Sequence, residues 1–295
     1  MQKIVECVPN FSEGKNKKII NAIFDASLRQ AQGKPVKVFE LEYNASHNRM
    51  LFTIVGSPED VLNSVFESIK VASKLIDMNS HVGEHPRIGA VDVVPFVPVS
   101  GVSMEECVKL SNKLAKKVAD ELKIPVFMYE ASAKKEEYRN LADVRVGEYE
   151  GIKKVMRKPD YGPDKPHPTA GAVVIGARKY LVAYNVNLET NDVNIAKEIA
   201  KKIREKDGGL KAVKALGFEV DGMAQVSMNL VDFEITNFDK AYREIEKEAK
   251  NLGVGIKSSE IYGMIPLEAL VKAIRTTFKG STFKGDQVLE KRLWE

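Results

Sequence analysis

Cysteine is scarce in this 295-residue chain, which contains only Cys7 and Cys107. They lie far apart without a C-x-x-C spacing, which excludes a disulfide framework and a cysteine-based zinc site. No stretch approaches the roughly 18 consecutive apolar residues that a membrane-spanning helix needs. The N-terminal "MQKIVECVPNFSEG" also lacks the apolar region of a secretion signal. We therefore expect a cytoplasmic protein that is neither exported nor inserted into a membrane.

Neither sign of charge dominates, because 45 basic and 41 acidic residues leave a net charge of +4. The lysine clusters "KNKK" and "AKKIREK" fall within helix-like segments and are interpreted as solvated helix faces. No aromatic RNA-recognition strand accompanies the basic residues, so we expect no nucleic-acid binding. A mild positive excess would instead help to attract an anionic small substrate.

The order of predicted elements indicates the fold class. In the first half, hydrophobic periodicity and turn signals predict the order β-α-β-β-α-β, the ferredoxin-like unit. An extra helix over residues 103–123 and a strand over 124–130 extend it. The second half repeats the same order, with two strands around the turn "DG" (221–222) and a last short strand over residues 261–266. We therefore predict an α+β protein with two tandem ferredoxin-like domains, residues 1–179 and 180–295.

Residues 157–179, "RKPDYGPDKPHPTAGAVVIGARK", are rich in proline and glycine. Such a composition is typical of a linker between domains. However, the segment also contains His167, Thr169, Arg178 and Lys179, and ligand pockets occur preferentially at domain junctions. A linker and a binding segment both remain open at this point.

Residues 80–99, "SHVGEHPRIGAVDVVPFVPV", place His81 and His85 in an H-x-x-E-H pattern, which some metallopeptidases use to bind zinc. Such a site relies on a helix, whose i and i+4 side chains share one face. Gly83 lies inside the pattern and Pro86 directly after it, and both disfavour a helix. We therefore expect a loop whose histidines transfer protons, with a purely structural pair and a zinc site as alternatives.

Six ordered blocks carry a resemblance to a known family. They are "ECVPNFSEGKN" (6–16), "LIDMNSHVGEHPRIGAVDVVPFVPV" (75–99), "GEYEGIKK" (147–154), "YGP" (161–163), "GARKYLVAYNVNL" (176–188) and "AQVSMNLVDFEITN" (224–237). Together they resemble the glutamate formiminotransferase family, which also forms the N-terminal part of formiminotransferase-cyclodeaminase. The resemblance implies transfer of the formimino group of N-formimino-L-glutamate to N5 of tetrahydrofolate, in histidine degradation and one-carbon metabolism. It further implies a homodimer and a separate cyclodeaminase for the next step. The loop around Gly83 and Pro86 and the chemistry of the transfer predict that no metal takes part.

The resemblance also implies site residues. The family's catalytic histidine, which precedes Pro-Arg, falls on His85, and an acidic position that is usually aspartate falls on Glu42. Animal members carry a tryptophan where this chain has Ala170, so we expect a neighbour such as Tyr161 to supply the missing contact. The family's folate-binding stretch falls on Gly162, Pro163, Asp164, Lys165, Pro166, His167, Pro168, Thr169, Ala170 and Gly171.

The remaining candidates follow from the chemistry of the ligands. Both the donor and the folate carry carboxylates, which arginine binds well in a bidentate manner. We expect Arg49, Arg178 and Lys179 to bind them, with Arg87 a further candidate. His85 would take the N5 proton and return one to the leaving amine. A formyl donor in place of the formimino donor is the alternative within the family, and a zinc peptidase or an RNA-binding module is the alternative outside it.

Overall fold

The structure is a computed structural model that describes residues 2–34, 36–278 and 282–288. The chain divides into two compact units, Met1–Arg178 and Lys179–Glu295. Each unit buries its own hydrophobic cluster and combines helices with one β-sheet. The predicted α+β class is therefore confirmed. Over the described residues, no helix has the length and apolar character to cross a membrane.

The first unit begins with the predicted alternation of strands and helices. In chain order its elements are β1 (Ile4–Cys7), β2 (Asn10–Phe11), α1 (Lys17–Ala31), β3 (Val36–Asn44), β4 (Arg49–Gly56), α2 (Pro58–Leu75), β5 (Val91–Ser100), α3 (Met104–Lys117), β6 (Val126–Glu130), α4 (Leu141–Val144), α5 (Glu148–Lys154) and β7 (Val173–Ala177). The Asn16 side chain caps α1 by accepting from two backbone N–H groups. Ser103 and Glu106 form a capping box at the start of α3.

The sheet of the first unit is built around a central interrupted strand. β1 and β2 both pair antiparallel with β4 on one side and with β5 on the other, and β3 pairs with β4. Beyond β5 the sheet continues in parallel with β7 and then β6. Helices α1 and α2 contact each other and α2 contacts β1 and β4, which places them on the sheet.

The linker interpretation of residues 157–179 is wrong for its last part. Residues 173–177 form β7, which lies between β5 and β6 and is buried throughout. The continuous apolar run "AVVIGA" is typical of a parallel strand that is covered on both faces. The extension therefore contains the predicted helix and strand, α3 and β6, together with the short helices α4 and α5 and the strand β7, which were not predicted.

The second unit repeats the order strand, helix, two strands, helix, strand, and then adds a helix. Its elements are β8 (Val182–Leu188), α6 (Val193–Ile203), β9 (Val213–Val220), β10 (Met223–Leu230), α7 (Phe238–Asn251), β11 (Ile256–Tyr262) and α8 (Leu267–Thr277). The sheet order is β11-β8-β10-β9 and every pairing is antiparallel. Asp221 and Gly222 both have positive φ and form the predicted hairpin turn.

One strand of the second unit was predicted at the wrong place. The sequence favoured residues 261–266, whereas β11 begins at Ile256 and ends at Tyr262. Most of β11 is polar, "IKSSEIY", and among the strands that the structure describes it pairs with β8 alone, at the edge of the sheet. A half-exposed edge strand has no continuous apolar run, and therefore gives little signal in hydrophobicity.

Candidate active site

The two histidines of the H-x-x-E-H pattern lie in an irregular segment, which we call the histidine loop (residues 76–90). It connects the end of α2 at Leu75 to the start of β5 at Val91. No residue of the loop is helical. His81 and His85 therefore do not share a helix face, as Gly83 and Pro86 led us to expect.

His81 is held at both ring nitrogens. Its Nε2 lies 3.1 Å from the backbone oxygen of Asn48, and its Nδ1 lies 3.2 Å from Nε of Arg87. Since an arginine can only donate, Nδ1 accepts, and the proton of the neutral ring lies on Nε2. Burial lowers the pKa of His81, which favours this neutral form. The residue joins the histidine loop to the turn before β4.

Arg87 connects the same loop to α5. Its Nη1 lies 2.7 Å from Glu148 and its Nη2 lies 2.6 Å from Glu150. The backbone oxygen of Arg87 accepts a bond from the backbone N–H of Tyr149 at 2.9 Å. Arg87 is buried and carries these contacts inside the fold, so it is not available to bind a substrate carboxylate. The sequence suggested Arg87 as a ligand-binding residue, but in the structure its guanidinium binds the carboxylates of Glu148 and Glu150.

The turn between β3 and β4 lies against the histidine loop. The backbone N–H of Glu84 donates to the backbone oxygen of Ser46 at 3.2 Å, and Nδ2 of Asn48 donates to the backbone oxygen of Val82 at 3.0 Å. A Cβ atom at Gly83 would lie 2.4 Å from the backbone oxygen of His47. Glycine at position 83 therefore permits this close approach.

The last part of the predicted folate-binding stretch also packs against the histidine loop. The backbone N–H of Met78 donates to the oxygen of Thr169 at 2.8 Å, and that of Ala90 donates to the oxygen of Ala170 at 2.9 Å. Gly89 and Gly171 form a bridge, and a Cβ atom at Gly89 would lie 2.0 Å from the backbone oxygen of Ala172. Residues 167–171 and the loop that carries His85 are thus brought together.

Individual residues of this stretch differ in exposure. Ala170 is buried, so its methyl group does not replace the surface of a tryptophan. His167 accepts from the backbone N–H of Ala170 at 3.0 Å through Nδ1, and burial lowers its pKa. The hydroxyl of Tyr161 donates to Asn112 at 2.7 Å, while the ammonium of Lys134 lies 3.7 Å from the centre of its ring. Asp164 and Lys165 are exposed.

His85 is half-buried and lies in a cationic environment. Its ring centre lies 6.4 Å from that of His47. Burial, followed by the positive charges of Arg49 and Arg145 and by His47, lowers the pKa of His85 to about 3. A buried imidazole near two guanidinium groups is disfavoured as a cation. His85 is therefore neutral near pH 7, as a general base must be before it accepts a proton.

Arg49 and Arg145 are each held by a polar side chain on a central strand. Arg49 Nε lies 2.9 Å from Oδ1 of Asn10, to which Nη2 also donates. Arg145 Nε lies 3.2 Å from Oδ1 of the buried Asp92, and its Nη2 donates to Oδ2. Burial lowers the pKa of Arg49 to about 10. Asn10 and Arg145 were not singled out from the sequence, although Asn10 lies in the first resembling block.

Glu42 follows a bulge in β3 and is close enough to Arg49 to interact electrostatically. The register with β4 shifts between Phe39 and Glu42, and Glu40 has a positive φ. Such bulges often redirect side chains near functional sites. Partial desolvation and then the charge of Glu40 raise the pKa of Glu42, while Arg49 opposes the rise. Within the described ranges, no hydrogen bond joins Glu42 to His85.

The two other predicted carboxylate-binding residues have protein partners. Arg178 follows β7 in the first unit and hydrogen-bonds the side chain of the buried Tyr129. Lys179 belongs to the second unit, where it pairs with Asp232 at 2.5 Å and with Glu234 at 3.8 Å. Both carboxylate partners of Lys179 lie within the second unit. Among the residues that the structure describes, no group of three or more His, Cys, Asp or Glu is arranged to hold a metal ion.

Comparison with known proteins follows the division into two units. The family described as the formiminotransferase domain, N-terminal subdomain, matches residues 4–178, and the formiminotransferase domain family matches residues 183–283. The chain is 43% identical to a glutamate formimidoyltransferase of Streptococcus pyogenes serotype M1, with 99% of each chain covered. It is 41% identical to a glutamate formimidoyltransferase of Thermoplasma acidophilum, with 98% of this chain and 97% of the relative covered.

A longer relative has a second activity in its name. The chain is 42% identical to a formimidoyltransferase-cyclodeaminase of Dictyostelium discoideum, covering 99% of this chain and 56% of that protein. These relatives place the chain among the transferases. More specifically, it belongs to the formiminotransferase family, and the resemblance inferred from the six sequence blocks is confirmed.

Proposed function

We propose that the chain is a glutamate formimidoyltransferase. It transfers the formimino group of N-formimino-L-glutamate to N5 of tetrahydrofolate and releases L-glutamate and 5-formiminotetrahydrofolate. Two relatives that carry this activity in their names are matched over nearly their whole length. The structural observation that carries the proposal is His85, a neutral imidazole beside two arginines on a loop fixed by neighbouring segments.

The proposed chemistry needs a proton carrier more than a metal. N5 of the folate attacks the formimino carbon, and the new N–C bond gives a tetrahedral intermediate. His85 accepts the proton that N5 loses and then donates a proton to the departing glutamate nitrogen as the old C–N bond breaks. No oxyanion develops, because the formimino group carries nitrogen where an acyl group carries oxygen. We accordingly propose a reaction without a metal.

Glu42 and the arginines have supporting roles in this proposal. A carboxylate near the reacting amidine stabilises its cationic form. Glu42 is proposed to provide this carboxylate, since it lies close enough to Arg49 to interact with it electrostatically. Arg49 is proposed to bind a carboxylate of a substrate, because its guanidinium is fixed by Asn10. We propose that residues 162–171 bind the folate, since their last part packs against the histidine loop.

Several further expectations belong to the same proposal. The strand order of the second unit, β11-β8-β10-β9 with all pairs antiparallel, supports a ferredoxin-like assignment. Relatives with the transferase name alone support a separate cyclodeaminase for the next step. The homodimer and the cytoplasmic location stay predictions.

The test is a direct assay of the two donors. Purified protein is incubated with tetrahydrofolate and either N-formimino-L-glutamate or N-formyl-L-glutamate, and the modified folate is identified by mass spectrometry. We expect transfer from the formimino donor. Transfer from the formyl donor alone would favour the alternative activity, and no transfer from either would refute the proposal.

A further inference from the structure

We infer that Arg145 and Arg49 together form an anion site beside His85 that binds the α-carboxylate of the formimino donor. Asp92 serves as the positioning residue for Arg145. This inference rests on the proposed function and assigns the substrate contacts of the same site. It begins with the way in which each guanidinium is held.

Arg145 is fixed from one edge of its guanidinium. The Nε and Nη2 atoms face the Asp92 carboxylate, whose Oδ1 also lies 3.3 Å from the backbone N–H of Ile88. The side chains of Arg145 and Asp92 are 15% and 3% exposed. Asp92 therefore has both oxygens engaged and fixes the plane of the guanidinium, while Arg145 keeps some access to solvent.

Arg49 is held in the same manner by an uncharged partner. Its Nε and Nη2 both face Oδ1 of Asn10. Asn10 pairs with Val93 in the sheet, next to Asp92, so the residues that hold the two arginines lie on adjacent strands. Over the described residues, Nη1 of Arg49 and Nη1 of Arg145 make no hydrogen bond, and neither atom is fully buried. Each guanidinium therefore keeps one Nη group for a ligand, and the two charges are close enough to influence each other and His85.

The two guanidinium groups favour an anion at their outer atoms. Arg49 and Arg145 carry two positive charges, while Asp92 supplies one negative charge at full burial and Glu42 lies on the exposed side. An uncompensated guanidinium in a partly buried site is costly unless a partner neutralises it. Burial is the main cause of the low pKa values of His85 and Arg49, and the charge of Arg145 lowers both further. A bound carboxylate would offset the charges of the two arginines and make His85 a stronger base.

The geometry of the reactants selects the donor over the folate. In N-formimino-L-glutamate the α-carboxylate is attached to the carbon that bears the reacting nitrogen. In tetrahydrofolate the p-aminobenzoyl group separates N5 from the glutamate carboxylates. An anion site next to the proton-transferring histidine therefore suits the α-carboxylate of the donor. Each of the two carboxylate oxygens can accept a hydrogen bond from one of the two Nη1 groups.

The test compares the Michaelis constants of both substrates. Arg145→Gln should raise KM for formiminoglutamate by about 10- to 100-fold, the loss expected for a charged hydrogen bond, while KM for tetrahydrofolate changes by less than about twofold. Arg145→Lys should recover only part of the loss, because lysine cannot keep the bidentate contact with Asp92. Arg139→Gln is the matched control, since Arg139 is exposed and its side chain pairs with Glu136.

Burial of Asp92 without its partner could impair folding of Arg145→Gln. The double variant Asp92→Asn/Arg145→Gln removes both charges and keeps similar volumes, and it should show the same rise in KM for the donor. Asp92→Asn alone should raise this KM by a smaller factor and leave KM for tetrahydrofolate unchanged. Unchanged donor KM in a folded Arg145→Gln or double variant would overturn the inference, as would an equal rise for the folate.

A binding measurement separates this inference from the proposed function. Titration calorimetry with L-glutamate should show binding to the wild type and to Arg139→Gln, and at least tenfold weaker binding to Arg145→Gln. If the wild type transfers no formimino group, the proposed function fails, and the calorimetry still tests the anion site. If the wild type is active but L-glutamate binds equally to all variants, only the anion site is refuted.

Discussion

Arg87 donates from Nε to Nδ1 of His81 at 3.2 Å while its Nη groups bind Glu148 and Glu150. The same imidazole is bonded to the backbone oxygen of Asn48 through Nε2. Neither nitrogen of His81 is left to bind a metal or to exchange a proton without breaking one of these bonds. The two histidines of the pattern therefore have different surroundings, although they are only four residues apart.

The first prediction concerns the two histidines. His85→Ala should lower kcat by about 10² to 10⁴ and leave folate binding nearly unchanged, because a general base acts mainly in the transition state. His81→Ala should act through stability or KM, since it removes two hydrogen bonds that hold the loop. Steady-state kinetics and thermal unfolding of both variants provide the measurement. A His85→Ala enzyme with near-normal kcat would contradict the assignment.

The second prediction concerns Arg87. Arg87→Met should destabilise the fold by about 1 to 3 kcal/mol, since a buried arginine loses its charged hydrogen bonds. Lys113→Met is the control, because its pair with Glu59 is exposed on both sides, and it should change stability by less than about 0.5 kcal/mol. The free energy of unfolding of the wild type, Arg87→Met and Lys113→Met is measured by urea denaturation. Equal stability of Arg87→Met and the wild type would show that the network does not hold the loop.

The sequence predicts regular elements best where one face is buried. The α1 and α2 stripes and the hairpin at Asp221 gave clear periodic or turn signals, and the structure has these elements. β7 was interpreted as part of a linker because its neighbours are rich in proline and glycine. Its position between two parallel strands depends on pairing with distant residues, which no local pattern records.

The site residues also divide into those that the local sequence predicts and those whose contacts form only in the folded chain. Gly83 and Pro86 were sufficient to predict a loop, since they act on the local backbone. Arg145 could not be found in this way, because its partner Asp92 lies 53 residues away and the pair forms only in the folded sheet. Arg178 and Lys179 were chosen for their charge, but the sequence does not reveal that Tyr129 and Asp232 contact them.

The third prediction concerns the contact between the histidine loop and residues 167–172. Gly89→Ala would place a methyl group 2.0 Å from a backbone oxygen, so the loop or the segment must move. We expect a loss of about 1 to 3 kcal/mol in stability and a lower kcat. Gly151→Ala is the control, because its added Cβ would lie 3.8 Å from the backbone oxygen of Val146 and a helix such as α5 favours alanine over glycine. A Gly89→Ala protein that matches the wild type in both measurements would refute this role.

The fourth prediction concerns metals. Dialysis against a strong chelator should leave turnover unchanged. Both ring nitrogens of His81 are hydrogen-bonded within the protein, and His85 does not share a helix face with His81. The control adds zinc back after dialysis, which should not increase the rate. The sample is also analysed for bound metal. Stoichiometric zinc whose removal abolishes turnover would reverse the assignment of His85 as a proton carrier.

The fifth prediction concerns pH. The pKa of His85 is about 3 in the folded chain, against about 6.5 in an unfolded one. As pH falls below about 6.5, the unfolded state binds a proton that the folded state refuses, so stability decreases toward acid. This one group contributes a slope of up to about 1.4 kcal/mol per pH unit. The stability that His85 supplies is therefore complete above pH 6.5 and is lost as pH falls toward about 3.

His85→Gln isolates this contribution, because glutamine does not titrate. Urea unfolding between pH 7 and pH 5 should give a shallower loss of stability for His85→Gln than for the wild type, in the range where most carboxylates remain ionised. The chain contains four histidines, so NMR can follow each imidazole separately. The signal that disappears in His85→Gln should show no titration in the wild type between pH 8 and pH 5. A midpoint near 6.5 for that signal, or equal slopes for the two proteins, would show that burial and the nearby arginines do not keep His85 neutral.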